Sequence, residues 1–303
     1  MIDDACLFIL LPSSLILPTR ELIMSTPITA AMVNELRKRT GRPMMECKSV
    51  LVEADGDMNK AVDILRIRNK GVGDKRAMNE TAEGRMGISV DLASSVGAIV
   101  ELRCESAPVA KIDQFVTLAN EIAKHIVAKN PASVEELLGQ EIAPGTTVTD
   151  RINEAIGLLR ENMKVQRFQR LSGGVFGEYI HHDGTLGVLV QGKGTANAAV
   201  LKDLCMHIAA VQPSPAAITR EEVDPAILAK EKEIAKAKAE ATGKPPQIAE
   251  KIAEGQMKTW FAENVLLEQP FVKDQEKSVG QLVKDACLEV TKFVRYKVGE
   301  IPA

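Results

Sequence analysis

Gly84-Arg85-Met86-Gly87-Ile88-Ser89-Val90, leading to Gly97-Ala98-Ile99-Val100, decides the fold when set beside Gly174-Val175-Phe176-Gly177-Glu178-Tyr179-Ile180, leading to Gly187-Val188-Leu189-Val190. The glycines correspond pairwise: Gly84 with Gly174, Gly87 with Gly177 and Gly97 with Gly187 each lie 90 residues apart. Each stretch reads as a β-hairpin, the second with an Asp183-Gly184 turn. A helix follows in each half and ends alike. His125-Ile126-Val127-Ala128-Lys129-Asn130-Pro131 parallels His207-Ile208-Ala209-Ala210-Val211-Gln212-Pro213 at a spacing of 82. Both prolines fall where they would stop the helix. Hairpin plus helix, twice, predicts an α+β core of two related subdomains that face each other through small antiparallel sheets.

Upstream, Thr29 is placed to cap a helix with Val33 and Leu36 inward, ended by Gly41. A second helix opens at Pro43 with Val50, Leu51 and Ala54 inward. A third is capped by Asp57 and carries Ala61, Val62 and Leu65. Three short helices make a bundle of docking size with a thin core. The charged, glycine-containing stretch from Arg68 to Gly84 reads as a linker. Further on, Ile227, Ile234 and Ala241 recur every seven residues, Gly243-Lys244-Pro245-Pro246 breaks the run, and Ile248, Ile252 and Gly255 resume it. This predicts a helical hairpin with a narrow, alanine-rich seam, either a projecting arm or a solvated helix pair with no binding role. The segment from Phe271 to Glu300 returns to strand character after a helix near Val279–Ala286. The expected boundaries are therefore a 1–24 extension, a three-helix domain at 25–70, a linker at 71–84, and core subdomains at 85–170 and 171–303, the second carrying the hairpin at 225–260.

The 303 residues carry a net charge of −3 and 3% aromatics with one Trp, which argues against nucleic acid as a direct ligand. Cys6, Cys47, Cys104, Cys205 and Cys287 are scattered without a Cys-x-x-Cys pair, as expected for reduced thiols in a cytoplasmic protein. Near the start, Leu7–Leu11 and Leu15–Leu17 are apolar but are interrupted by Pro12 and preceded by Asp3-Asp4. They fit neither a secretory signal nor a transit peptide, and no apolar run approaches the ~18 residues of a membrane span. Met24-Ser25-Thr26 makes a natural start, so residues 1–23 read as a start-codon artefact or a disordered tail.

Three features imitate catalytic or ligand sites. Gly187-Val188-Leu189-Val190-Gln191-Gly192-Lys193-Gly194 matches a phosphate-binding loop except at Gly194, where Ser or Thr would hold Mg²⁺; its interior is an apolar strand, and the duplication accounts for Gly187. His181-His182-Asp183 suggests a metal site, but neighbours on a strand point to opposite faces and Asp183 is explained by its turn. His125 and His207 hold matching places in the duplicated helices, which points to packing. No nucleophile–base pair assembles from the spacing, so no catalytic residues, metal ligands or cofactor are expected. The chain reads as an interaction protein.

Several segments resemble the elongation factor Ts family. They are Val33-Asn34-Glu35-Leu36-Arg37-Lys38-Arg39-Thr40-Gly41-Arg42-Pro43-Met44-Met45-Glu46-Cys47-Lys48, Ala54-Asp55-Gly56-Asp57, Gly187–Val190, Met206-His207-Ile208-Ala209-Ala210, Gly243-Lys244-Pro245, Gln269-Pro270-Phe271-Val272 and Val294-Arg295-Tyr296-Lys297-Val298-Gly299-Glu300. They fall in family order across residues 25–300. The resemblance implies a ubiquitin-associated-like bundle, a two-subdomain core and an inserted helical hairpin. It also implies guanine-nucleotide exchange on the GTPase elongation factor Tu, without catalysis in the usual sense. Arg39, Thr40, Gly41, Met44, Met45, Cys47 and Lys48 would dock the partner, two methionines giving an adaptable apolar patch ringed by cations. Met206 and His207 would make a second contact. Ser106-Ala107-Pro108-Val109 stands where the family commonly has Thr-Asp-Phe-Val, the segment expected to dislodge the partner's Mg²⁺. The aromatic wedge and its acidic neighbour are absent here, leaving Pro108 to supply a smaller, rigid intrusion. The alternative is a Tu-binding scaffold or chaperone-like protein with weakened exchange. Many relatives carry a further helical segment after Val-Gly-Glu, whereas this chain stops at Ile301-Pro302-Ala303, so contacts from that segment are expected to be missing.

Overall fold

The computed structural model describes residues 27–195, 197–241, 243 and 245–300; the expected N-terminal extension and the Ile301-Pro302-Ala303 end lie outside them. The chain divides into two compact units between Ile64 and Leu65. In the first unit, α1 (Ala30–Thr40) is capped by Thr29, whose hydroxyl accepts the Met32 amide, and ends at Gly41 in the left-handed region. α2 (Met44–Glu53) follows with Cys47, Val50 and Leu51 buried, and α3 (Met58–Arg76) starts on the Asp57 carboxylate.

α3 corrects the expected linker. It runs on to Arg76 through Gly71 and Gly73, two residues whose local preference is to break a helix. A helical glycine costs about 1 kcal/mol, and tertiary packing offsets that here. Val72 packs on the core there, and a Cβ on the neighbouring Gly73 would lie 2.4 Å from the Asn153 side-chain oxygen, which would have to swing aside.

The second unit carries the duplication in its sheets and the helices packed on them. Its first half comprises β1 (Glu83–Asp91), β2 (Val96–Cys104), α4 (Asp113–Lys129), α5 (Val134–Gly139), the ribbon β3 (Glu141–Ala143) and β4 (Thr146–Thr147), α6 (Val148–Leu159) and β5 (Met163–Ser172). The other half comprises β6 (Val175–Ile180), β7 (Leu186–Gly194), α7 (Ala198–Ala210), the helical hairpin α8 (Pro225–Glu240) and α9 (Pro246–Asn264), the ribbon β8 (Pro270–Phe271) and β9 (Asp274–Ser278), α10 (Val279–Asp285) and β10 (Leu288–Lys297). The antiparallel sheets are ordered β1-β2-β5 and β6-β7-β10, so the long third strand pairs with the second hairpin strand in both. Even the irregularities repeat: β5 bulges at Gln166 opposite Glu101/Leu102, and β10 at Thr291 opposite Gln191/Gly192.

Two sets of glycines set the layer spacing. A Cβ on Gly87 would lie 2.3 Å from the Ala119 carbonyl oxygen of α4, and one on Gly177 would lie 2.8 Å from that of Leu201 on α7. These carbonyls are themselves 82 residues apart, the spacing of the helices. On the opposite sheet faces, Gly97 abuts Phe176 and Leu189, while Gly187 abuts Met86 and Ile99. Ile99, Phe176 and Leu189 join Leu171 and Val294 in one buried layer between the sheets. The central strands β2 and β7 are thus buried on both faces, which accounts for their continuous apolar runs. At the edge of this layer Glu101 is fully buried and bound by two guanidinium groups, Arg103 at 2.7 Å and Arg167 at 2.6 Å. Arg167 also stacks on Tyr296 of β10 and donates to the Lys297 and Glu300 carbonyls, tying the second half's last strand to the first half.

The hairpin seam is corrected by about one residue. Ala235, Ala239 and Ala249 are buried, whereas Ile227 and Ile248 are 44% and 47% exposed. Methyl-sized side chains permit close helix approach, so the alanines take the seam and the isoleucines its rim.

Gly87→Ala is expected to destabilise the core by about 1–3 kcal/mol, because a backbone carbonyl cannot yield to the added methyl. Gly71→Ala, with open space around it, is expected to be neutral or to stabilise by up to about 1 kcal/mol. Urea unfolding of the two variants checks the ranking.

Candidate functional site

In the first unit, α2 turns Met44, Met45, Lys48 and Val52 outward, four residues that helical spacing places on one side. Met44 is 50%, Met45 75% and Val52 57% exposed. Arg39 and Gly41 are also exposed, Arg39 pairing with Glu35 at 2.7 Å. Two expected contact residues instead organise the turn behind this face. Thr40 is half-buried and donates to the Leu36 carbonyl. Cys47 is fully buried, its thiol donating to the Arg42 carbonyl, so its expected contact role is corrected to an internal one. Arg42 itself is buried, 3.7 Å from Glu46. Val52 joins this face without having been expected there, although it lies four residues beyond Lys48 and eight beyond Met44.

In the second unit, Ser106–Val109 occupies the loop between β2 and α4. The matching strands are 90 residues apart and the matching helices 82; the first half spends eight residues, 105–112, between strand and helix, where the second spends three, 195–197. Ala107 and Pro108 are exposed, Val109 is buried and opens a 3-10 turn over Val109–Lys111, and Ser106 is fastened to Glu161 through its amide at 3.0 Å and its hydroxyl at 2.5 Å. The preceding Glu105 accepts from the Asn162 amide, the Asn79 side chain and Arg76. The Asn162 amide first, then Asn79 and Arg76, hold its carboxyl below the ordinary 4.5. Two carboxylates therefore fix a segment in which Ala107 and Pro108 face solvent. The sequence signal for this scaffold was weak, since Glu161 lies 55 residues from Ser106.

Met206 and His207 lie in the last turn of α7. Met206 is half-buried and His207 fully buried, which removes His207 from the surface where the resemblance had set it. Burial keeps its pKa below the usual histidine value, as it does for His125.

The imitations resolve by geometry. Gly187–Gly194 lies within β7, and its backbone pairs with β6 and β10 instead of cradling a phosphate. His181 and His182 follow the end of β6, so they do not alternate as strand neighbours. Their rings meet edge-on at 4.3 Å, and Tyr179 bonds His181. Among the described residues no cluster of three metal-ligating side chains occurs, and no helix is long and apolar enough to cross a membrane. Cys104 and Cys205 are buried free thiols, both pushed up to about 12 chiefly by burial.

Comparison with known proteins fits this duplicated core. The family described as Elongation factor TS matches residues 105–300. The chain belongs to the elongation factor Ts family. It is 41% identical over 291 residues to an Elongation factor Ts of Trichlorobacter lovleyi, covering 90% of this chain and 93% of that one. Elongation factor Ts proteins of Methylococcus capsulatus and Thioalkalivibrio sulfidiphilus are 43% and 41% identical over 276 residues, with 90% of this chain and 92% of each relative covered. Family membership makes this a translation elongation factor, and the exposed positions above are where its working surface is to be sought.

Glu105→Gln is expected to destabilise the protein by about 1–2 kcal/mol at pH 7, through loss of charge-assisted hydrogen bonds. Because the folded pKa is depressed, the carboxylate's contribution is complete above pH 4.5 and disappears as pH falls through the lower folded value. Unfolding curves of variant and wild type should therefore converge in acid.

Proposed function

We propose that this chain binds elongation factor Tu in its GDP-bound form and accelerates GDP release by disturbing the Mg²⁺ and phosphate site of the GTPase. The observation that carries this reading is the outward face of α2, where Met44 and Met45 are large, apolar and exposed beside Lys48. Exposed methionines flanked by cations suit an adaptable protein contact. The rigid loop at Ala107-Pro108 supplies the intruding element, its stiffness coming from proline and from the Glu105 and Glu161 anchors. Binding energy gathered on the docking face would drive that loop into the nucleotide site. By linkage, the factor by which this chain weakens GDP is the factor by which GDP weakens this chain. GTP then refills the site and the complex separates. No bond is made or broken by the chain itself.

The second reading, a Tu-binding scaffold with weakened exchange, is favoured by one observation: alanine and proline stand where an aromatic wedge is usual. Release of labelled GDP from cognate Tu separates the two. Acceleration at micromolar protein supports exchange; binding without acceleration supports the scaffold.

Met44→Ala with Met45→Ala is expected to weaken binding to Tu about tenfold, equivalent to about 1.4 kcal/mol of lost contact. Because both side chains are largely exposed in the free chain, its melting temperature should stay within a few degrees of wild type. Titration calorimetry and thermal unfolding of the pair measure both quantities.

A further inference from the structure

We infer that His207 is a positioning residue, whose neutral imidazole fixes the segment Gln269–Lys273 so that Val272 is presented to the partner; the partner's identity rests on the exchange reading above. His207 cannot touch a partner while it stays packed, since it is fully buried. Its hydrogen bonds fix its tautomer. The Gln269 side-chain amide donates to the Glu263 carbonyl at 2.6 Å, which turns its oxygen towards His207 Nε2 at 3.0 Å. Nε2 therefore carries the proton, and bare Nδ1 accepts the Val272 backbone N–H at 3.2 Å. Donors run one way, from Val272 to His207 to Gln269 to Glu263, an arrangement in which each bond polarises the next. On either side of this hook, Phe271 is buried near the imidazole, with ring centroids 5.9 Å apart, and Lys273 reaches back to Asp203 of α7 at 2.7 Å. Val272, between them, is 45% exposed.

The other half of the core acts as an internal control. His125 Nε2 meets the Gln140 side-chain oxygen at 3.0 Å, as His207 meets Gln269. The Gln140 carbonyl accepts the Val148 amide and the Gln269 carbonyl accepts the Val279 amide, both at 2.9 Å, each at the start of the following helix. The His–Gln clasp is thus a fold element present twice. Among the described residues, the bond from a ribbon amide to Nδ1 occurs only at His207. That extra bond holds an exposed apolar side chain, which no packing need of the core explains.

Asparagine places its oxygen where imidazole Nδ1 sits, and glutamine places its amide where Nε2 sits. His207→Asn keeps the acceptor for Val272, whereas His207→Gln keeps only the Gln269 partner. Full-length variants are compared by amide hydrogen exchange at Val272 and by labelled-GDP release from cognate Tu. The expected result is that His207→Asn stays within about threefold of wild type in both, while His207→Gln loses about fivefold, the worth of one hydrogen bond. Val272→Ala should slow GDP release with unchanged melting temperature, and adding His207→Gln to it should slow release no further. Equal Val272 protection in the two histidine variants, or a Val272→Ala protein as active as wild type, overturns the proposal; multiplying effects in the double variant do so as well. If wild type fails to accelerate release, the exchange reading falls, and the amide-protection ranking alone decides the positioning role.

Discussion

Two three-stranded sheets can share one face only if their backbones come close, and Gly97 and Gly187 are where that happens. Each occupies the space into which the other sheet inserts large side chains: Phe176 and Leu189 against Gly97, Met86 and Ile99 against Gly187. The arrangement is reciprocal, as expected of an isologous interface between two copies of one unit, here fused in a single chain. A Cβ at either glycine would press on side chains of the facing sheet, 2.9 Å from Phe176 at Gly97 and 3.0 Å from Met86 at Gly187, and these neighbours would have to shift. The outer faces repeat the logic, with Gly87 and Gly177 letting α4 and α7 lie directly on their sheets. Helix, sheet, sheet and helix are thus spaced by four missing β-carbons.

Such a stack leaves little tolerance for a charge at the middle layer, yet Glu101 lies there fully buried. Its burial is sustained by two guanidinium groups, and removing either would leave a charge without full compensation. Arg167 adds stacking on Tyr296 and bonds to the turn after β10. An element near the chain's end is thereby coupled to β2 and β5 of the first half, so the halves are joined by directional contacts as well as by apolar ones.

The duplication was legible because three glycine pairs at one spacing mean that the backbone needs bare positions at matching places in two copies. It was legible only in part, since a 40-residue helical hairpin, α8 with α9, separates α7 from its ribbon and hides the later correspondences. The clasp of His125 with Gln140 and of His207 with Gln269 spans 15 residues in one half and 62 in the other, so no fixed offset could reveal it. Gly71 and Gly73 misled for a different reason: propensity weighs a glycine by its local cost, whereas the packing of Val72 on the core outweighs that cost here. Cys47 misled because a motif marks positions that matter without saying whether they matter from inside or outside. The exposed face of α2 was partly legible, as Met44 and Met45 could not both fit a thin bundle's interior, but Val52 was not read as part of it.

Much of what repeats between the halves serves the fold, and three features that do not repeat reach the surface. Sheet order, strand bulges, glycine contacts and the His–Gln clasp all recur. The longer loop at Glu105–Ile112, the helical hairpin and the bond from Val272 to His207 do not. A feature demanded by packing should be demanded twice in a duplicated core, because both copies face the same packing problem. A feature present once, costly to hold and pointed at solvent answers to something outside the chain. By that reasoning Ala107-Pro108 and Val272 belong together in the proposed function, as the asymmetric elements that a symmetric scaffold would present to a partner. Each is a small, uncharged surface element held by polar anchors, half-buried Glu105 and Glu161 for one and buried His207 for the other. A proposed contact of this kind needs a support that does not give, and in both places each anchoring group holds at least two hydrogen bonds.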